Sequence, residues 1–199
     1  MENLLIKSMR EHIVLTDDQA TWIIERCKNM RYKKGHYIIR EGDISRNGIF
    51  ITEGSVRSYF TDINGQEHVI QLGIEGWWVG DLESFVYQKP GKFYVEAIEN
   101  SEVTLLPYDV LQIMYKEIPA IERYYRIMFQ NAFISFHKRV LENLSMDAES
   151  RYRVFKEKYP EMDMRIPQKH VASYLGMSAE FLSKIKKRVM LADRRNNNT

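Results

Sequence analysis

The sequence contains a single cysteine, Cys27, among its 199 residues. An internal disulfide, a zinc site rich in thiolates and an iron–sulfur cluster all need more cysteines, so these groups are excluded. One small thiol in a helical segment is typical of a packed side chain. The five histidines, which a haem or metal site would need, are scattered without obvious partners, and we expect no metal site; they are His12, His36, His68, His137 and His170.

Long hydrophobic runs are also missing. No stretch of about 18 apolar residues occurs, so we expect no transmembrane helix, and Met1–Lys7 acquires charge too early for a signal peptide. The sequence therefore predicts a cytoplasmic protein without a membrane partner.

Enzyme motifs are absent as well. The chain has no P-loop and no G-x-S-x-G elbow. A metal-dependent barrel enzyme would need several histidines with a carboxylate, and only His68 lies in a predicted strand. We expect no enzymatic activity and no catalytic residues.

Hydrophobic residues make up 44% and charged residues 28% of the chain, which is enough for a globular core. The net charge of +2 is unevenly distributed. Arg165–Thr199 holds eight Lys and Arg against two Asp and Glu, a charge of +6, which leaves −4 for the remainder. A basic C-terminal segment on an acidic body indicates a polyanion partner for that segment.

The spacing of apolar residues changes along the chain. Residues 13–30 have helical spacing, with Thr16 as the N-cap. Residues 32–107 instead contain short apolar runs separated by glycines, and Asn64-Gly65 predicts a hairpin turn in which both residues adopt positive φ. Seven or eight strands without intervening helices favour a small antiparallel barrel or roll.

Helical spacing returns from Pro119 to about Leu144, without Gly or Pro. This predicted helix has more apolar surface than packing on a roll requires, and pairing with a second copy would bury the excess. The alternative is a monomer whose helix packs entirely on its own roll. A further helix is predicted from Asp147 to before Pro160. The residues expected at the dimer interface are Ile121, Tyr125, Met128, Phe129, Ala132, Phe133, Phe136 and Val140.

Arg165–Val189 has the pattern of a helix-turn-helix. Pro167 suits the first turn of a helix, Gly176 a left-handed C-cap, and Ser178 the N-cap of the following helix. A pair of helices joined by a tight glycine turn is the architecture of many DNA-binding modules. The side chains expected to face inward are Val171, Ala172, Leu175, Leu182 and Ile185.

The second helix of this unit would enter the major groove. Glu180 can accept from cytosine N4 and Lys184 can reach guanine O6 and N7, whereas Lys186, Lys187 and Arg188 suit phosphates. The alternative is an ordinary helical hairpin. The full set of predicted DNA contacts is Gln168, Lys169, Ser178, Ala179, Glu180, Ser183, Lys184, Lys187 and Arg188.

From about Leu15 to Val189 the sequence resembles the Crp/Fnr family of bacterial transcription regulators. Glu75–Ser84 and Val95–Glu102 further resemble its Bacteroidetes branch. The segments that carry the family resemblance are Lys34–Asp43, Ile49–Tyr59, the turn Gly80-Asp81-Leu82 and the hinge-like Asp147–Arg151.

This resemblance implies an α+β fold. It has an antiparallel, jelly-roll-like β-roll sensor domain (residues 1–117), a long dimerisation helix (118–145) and an all-α helix-turn-helix domain (146–199). It also implies a homodimer that binds palindromic operators in double-stranded DNA, with RNA polymerase as a further candidate partner. Glu180 and Lys184 match base-contacting positions of the family, but Ala179 replaces an arginine. The residues after Val189 are too few for the wing found in many relatives.

The family's pattern for binding a cyclic nucleotide is incomplete. Gly91 and Lys92 align with an Arg-Ser or Arg-Thr pair that holds the phosphate, and Asp81 replaces a longer glutamate. Phe136 and His137 replace hydroxyl side chains on the long helix. We therefore expect neither cAMP binding nor a cofactor.

Two alternatives remain for the sensor: an unknown small-molecule effector uses the pocket, or bulky residues such as Trp77 fill it. A ligand-sensing module that regulates a protein partner without specific DNA binding also remains open. The candidate ligand residues are Trp78, Gly80, Asp81, Leu82, Glu83, Lys92, Tyr94, Phe136 and His137.

Overall fold

The computed structural model describes the backbone of residues 2–196 and the side chains of residues 2–192. Its helices are α1 (Leu4–Arg10), α2 (Asp17–Arg26), α3 (Leu82–Tyr87), α4 (Tyr108–Glu117), α5 (Ala120–Ser145), α6 (Ala148–Lys158), α7 (Pro160–Arg165), α8 (Gln168–Tyr174) and α9 (Ala179–Asn196). Its strands are β1 (Lys28–Tyr32), β2 (Tyr37–Ile39), β3 (Asn47–Glu53), β4 (Val56–Thr61), β5 (Glu67–Gly73), β6 (Trp78–Val79), β7 (Tyr94–Ala97) and β8 (Ser101–Pro107). No helix within residues 2–196 is both long and apolar enough to cross a bilayer.

The strands form two four-stranded sheets, with the orders β1-β8-β3-β6 and β2-β7-β4-β5. Every strand pair is antiparallel, which confirms the predicted antiparallel β-structure. Aliphatic residues from both sheets join in one buried cluster, and full burial of each contributes about 1.5–3 kcal/mol. This cluster comprises Ile39, Ile49, Ile51, Val56, Val79, Val95 and Val103.

The hairpin predicted at Asn64-Gly65 joins β4 to β5, but its turn geometry differs from the prediction. Gly65 has a φ of +79°, whereas Asn64 is not among the residues with positive φ. The reason is Asp62, whose Oδ1 accepts from the backbone N–H of Asn64 and of Gln66. This side-chain turn favours a longer loop in which only the glycine adopts the left-handed conformation.

The helix α2 is shorter than the apolar spacing of residues 13–30 predicts. Thr16 caps α2 as predicted, and the structure adds a reciprocal capping box with Gln19, but α2 ends at Arg26. Lys28–Tyr32 forms β1, which pairs along its whole length with β8. The assignment of helix to residue 30 was therefore wrong, because ladder hydrogen bonds outweigh weak helical propensity. The helices α1, α3, α4 and α7 were not predicted, and α3, which lies between β6 and β7, contradicts the expectation of strands without intervening helices.

The long helix α5 spans 26 residues, close to the predicted bounds. Its first turns pack on the chain's own roll, where Ile121 and Tyr125 are buried. Both residues were predicted at a dimer interface, and that assignment was wrong because α1, α2 and α4 already cover them. The apolar side chains from Phe129 onward are exposed in the single chain.

The C-terminal helices share a hydrophobic cluster with the roll. Tyr59 and Val69 of the roll belong to the same buried cluster as Tyr152, Phe155 and Val171 of the helices. The helical unit is therefore docked on the sheet that contains β4 and β5. After Val189 the helix α9 continues to Asn196, and residues 197–199 lie outside the described part of the chain.

Candidate functional site

The turn between α8 and α9 has the hydrogen bonds of a glycine C-cap. Gly176 has a φ of +68°. Its N–H donates to the carbonyl of Ser173, and the Met177 N–H donates to the carbonyl of Ala172, at 3.1 and 3.0 Å. These two bonds form a Schellman motif, which ends α8 and reverses the chain. Ser178 then caps α9 by accepting from the Phe181 N–H at 3.2 Å. The predicted roles of Gly176 and Ser178 are confirmed, and Pro167 lies immediately before α8.

The inner face of the helix pair is apolar as predicted. The side chains that fill it are fully buried, so the crossing of α8 and α9 is fixed by close packing. The small side chain of Ala172 allows this approach. The buried residues are Val171, Ala172, Leu175, Leu182, Ile185 and Val189.

The opposite face of α9 is polar and exposed. Glu180, Lys184 and Lys187 follow each other at i, i+4 and i+7, so they share one side of the helix. The backbone N–H of Glu180 itself, and then the Ser178 hydroxyl, lower the pKa of the Glu180 carboxyl, so its side chain is an acceptor at neutral pH. Ser183 is exposed on an adjoining side.

The remaining predicted DNA-contact residues differ in how exposed their side chains are and in whether they already contact other residues of the chain. Lys169 is exposed, whereas the amide of Gln168 donates to the carbonyl of Ala179 and connects the starts of the two helices. Arg188 contacts Glu149 but stays largely exposed. Lys186 pairs with Asp163 and lies over the Tyr152 ring, so it is already engaged within the chain, and its phosphate contact stays a prediction.

Helix α8 also covers an open edge of the roll. Strand β5 is the last strand of its sheet, so its outer backbone groups have no strand partner. The Val69 N–H donates to Oγ of Ser173 at 3.0 Å, and that hydroxyl donates to the carbonyl of Glu67 at 3.1 Å. One serine thus satisfies two backbone groups of an edge strand.

Arg57 lies beneath this contact as a buried cation on β4, with its side chain only 5% exposed. Its guanidinium donates to the carboxylates of Glu67 and Glu96. Its Nη1 lies 3.1 Å from Nδ1 of His170 on α8. Because a guanidinium can only donate, His170 accepts here and is neutral. Sequence patterns gave no signal for this network, whose members lie up to 113 residues apart.

A second contact connects α7 to the roll. The guanidinium of Arg165 donates to both carboxylate oxygens of Glu75 at 2.8 Å, and also to Glu99 at 2.6 Å. Bidentate pairs of this kind fix orientation as well as distance. The helix-turn-helix is therefore held against the roll at both its entry and its first helix.

The neutral state of His170 predicts a pH effect. Burial, and then the charges of Arg57 and Lys169, lower its pKa to about 4, against an opposing contribution from Glu67. Between about pH 4 and the ordinary value of 6.5 the unfolded chain binds a proton that the folded chain excludes, so stability should rise with pH. The slope from this group is at most about 1.4 kcal/mol per pH unit.

Urea unfolding of the wild type and of His170→Gln at pH 5 and pH 7 measures this slope. Glutamine is neutral at both values, so the variant should lose less stability on acidification. His36→Gln, at an exposed histidine, is the control and should behave like the wild type. Equal losses in the wild type and His170→Gln would contradict a neutral, buried His170.

The predicted ligand residues do not all meet in one place. Asp81, Glu83 and Lys92 line one pocket of about 290 Å³, beside Gly80 and Leu82 in the chain. Among the described residues, Phe136 and His137 are not part of its lining and lie exposed on α5. Their role in ligand binding therefore stays a prediction.

The aromatic candidates are engaged in packing. The indole N–H of Trp78 donates to the hydroxyl of Tyr124 at 2.9 Å, and its ring meets Phe50 edge-on. Tyr94 stacks on Tyr59 with ring centroids 5.1 Å apart. These contacts favour structural roles over ligand stacking.

Comparison with known proteins gives consistent results. Residues 29–117 match the cyclic nucleotide-binding domain family. The chain is 24% identical to the anaerobic regulatory protein of Aggregatibacter actinomycetemcomitans, covering 84% of this chain and 68% of that protein. It is 25% identical to the regulatory protein HlyX of Actinobacillus pleuropneumoniae, covering 82% and 71%.

Solved structures share the fold at low sequence identity. FixK2 from Bradyrhizobium japonicum superposes with a TM-score of 0.71 at 17% identity, covering 84% of this chain and 86% of that one. The c-di-GMP responsive global regulator CLP from Xanthomonas campestris gives 0.70 at 15% identity, covering 85% and 89%. Both of these curated relatives are named as regulatory proteins.

Proposed function

We propose that this chain, which belongs to the Crp/Fnr family of bacterial transcription regulators, binds a palindromic operator in double-stranded DNA as a homodimer. The observation that carries the proposal is the polar face of α9, which is exposed on a helix-turn-helix whose turn is closed by Gly176 and Ser178. The proposed division of labour assigns residues 1–117 to a sensor, 118–145 to dimerisation and 146–199 to DNA binding.

Glu180 and Lys184 are the proposed base contacts. They lie in the first turns of α9, the part of a recognition helix that approaches base edges. A carboxylate accepts from cytosine N4, and an ammonium donates to guanine O6 and N7. Lys169 and Lys187 would contact phosphates, which contribute affinity without sequence preference. Ala179 offers no hydrogen bond to a base through its side chain, so the operator should lack one contact that an arginine would make.

Dimerisation is the second part of the proposal. From Phe129 onward the apolar stripe of α5 is exposed in the single chain, and a two-helix pairing would bury it. Two-fold symmetry would then place the two α9 helices on half-sites one DNA turn, about 34 Å, apart. This geometry is the reason for expecting a palindrome.

Substitution of Lys184 tests base recognition. An operator is first selected from randomised duplexes, and affinities are then measured on it and on random DNA. Lys184→Ala should cost about 1–3 kcal/mol on the operator and relax the preference at one position, because a guanine contact is lost. Lys187→Ala is the matched control and should weaken binding on all sequences alike. An equal loss on operator and random DNA for Lys184→Ala would refute its base-contacting role.

A second candidate function is regulation of a protein partner without specific DNA binding. The apolar side chains of Phe181, Met190 and Leu191 are exposed on α9. They favour a protein partner, because apolar surface adds little to the affinity for a DNA phosphate backbone. The same selection separates the two: failure to enrich any sequence, with no DNA bound at low salt, would favour this second function.

A further inference from the structure

The loop between β6 and β7 closes on the side chain of Asp81. This residue is only 2% exposed and lies at the N-cap of α3. Its Oδ1 accepts from the Ser84 N–H at 2.9 Å. Its Oδ2 accepts from the N–H of Lys92 at 2.9 Å and of Phe93 at 3.3 Å. Three backbone donors from two segments thus converge on one carboxylate.

Converging backbone N–H groups make an anion-binding concavity. A cyclic nucleotide, which the family match to residues 29–117 implies, would bring a phosphate to such donors. In this chain the Lys92 and Phe93 donors already bind a carboxylate. A second anion here would have to displace Asp81 and would face its charge.

The loop can close on Asp81 because Gly91 has no side chain. A Cβ at position 91 would lie 2.4 Å from Asp81 Oδ2 and 2.9 Å from Cβ of Ser84. The glycine is therefore required by the close approach of the carboxylate. Any side chain at position 91, including an arginine, would therefore clash with the carboxylate of Asp81 in its present position. The loss of the phosphate-binding arginine and the inward position of Asp81 are thus two parts of one arrangement.

The surrounding side chains supply no replacement for the guanidinium. Lys89 and Lys92 are exposed at the pocket, and the Glu83 carboxylate lines it as well. An exposed ammonium is a strongly hydrated point charge and lacks the planar fork that holds a phosphate in two places. The residues present do not fit a cyclic nucleotide.

We propose that Asp81 is the internal anion of this loop: its carboxylate takes the place of a ligand phosphate, so the roll binds no cyclic nucleotide and the protein itself keeps the loop closed. The consequence is that a cyclic nucleotide does not control the DNA-binding unit. The inference does not depend on DNA binding, so ligand titration tests it separately from the proposed function.

Isothermal titration of the full chain with 3′,5′-cyclic AMP and with 3′,5′-cyclic GMP is the first test. We expect no binding heat up to millimolar ligand. Saturable binding of either nucleotide at micromolar concentration would overturn the proposal, and this measurement needs no variant.

Asp81→Ala is the second test, with inorganic phosphate as the probe. Removing the carboxylate frees three donors, so 10 mM phosphate should raise the Tm of the variant by about 3–6 °C at a Kd of about 1 mM. Sodium chloride at equal ionic strength should not do so. Glu83→Ala removes an exposed carboxylate from the same pocket and should respond like the wild type, with no phosphate-specific shift. The same response in Asp81→Ala and Glu83→Ala would show that Asp81 does not occupy an anion position.

Discussion

Replacing Arg57 with methionine should lower the free energy of unfolding by about 3–5 kcal/mol, the usual cost of removing one partner from a buried charge network. The substitution keeps much of the aliphatic length but leaves Glu96, which is only 17% exposed, without its cation. It also removes the donor to His170 and the cation above the Tyr59 ring. The loss should therefore appear both as lower stability and as weaker docking of α8 on the roll.

Arg31→Met is the matched control for this prediction. Arg31 also joins a strand of the roll to a glutamate across the sheet, Glu102, but its side chain is 88% exposed. An exposed pair of this kind is screened by solvent and contributes little to stability, so Arg31→Met should lose far less than Arg57→Met. Urea unfolding followed by tryptophan fluorescence measures both variants, and Trp77, whose ring packs on Tyr159, reports on the boundary between roll and helices. Similar losses for the two variants would mean that the buried network does not stabilise the docked state.

Phe133→Glu should convert the protein to a monomer and reduce operator affinity by about 10²–10⁴-fold, the usual gain from linking two binding units. Phe133 is 61% exposed and lies in the apolar stripe of α5. A charge at the centre of a paired interface carries a desolvation penalty that no partner offsets. Without the dimer each half-site must be bound independently, so the gain from effective concentration is lost.

Sedimentation velocity and DNA titration on the same samples test this prediction. Asn131→Glu introduces the same charge at an exposed position on the opposite side of α5. It should remain a dimer and bind the operator like the wild type. A dimeric Phe133→Glu variant with undiminished affinity would place the interface elsewhere.

The sequence predicts best those features that depend on neighbouring residues. The left-handed C-cap at Gly176, the N-cap at Ser178 and the N-cap at Thr16 follow from local chemistry, and all three are present. Local chemistry also misled in two places. The spacing around Met30 suggested helix where a strand pairs with β8, and Asn64 does not adopt the φ that its dipeptide permits.

Features that depend on distant parts of the chain were not predictable. Ile121 and Tyr125 belong to the apolar stripe of α5, and only the presence of α1 and α4 shows that they are already covered. The contact of Arg57 with His170 and the closure of Asp81 on Lys92 and Phe93 need the folded loops to be known. The family resemblance indicated that the phosphate ligands are missing, but not that a carboxylate occupies their place.

The central claim is that α9 recognises a specific DNA sequence. The most direct measurement is the ratio of Kd values for a selected operator and a scrambled duplex, by fluorescence anisotropy at 150 mM salt and over a salt series. We expect the operator to bind about 10³-fold tighter or more, with both affinities falling as salt rises. Equal Kd values for the two duplexes at every salt concentration would contradict the claim.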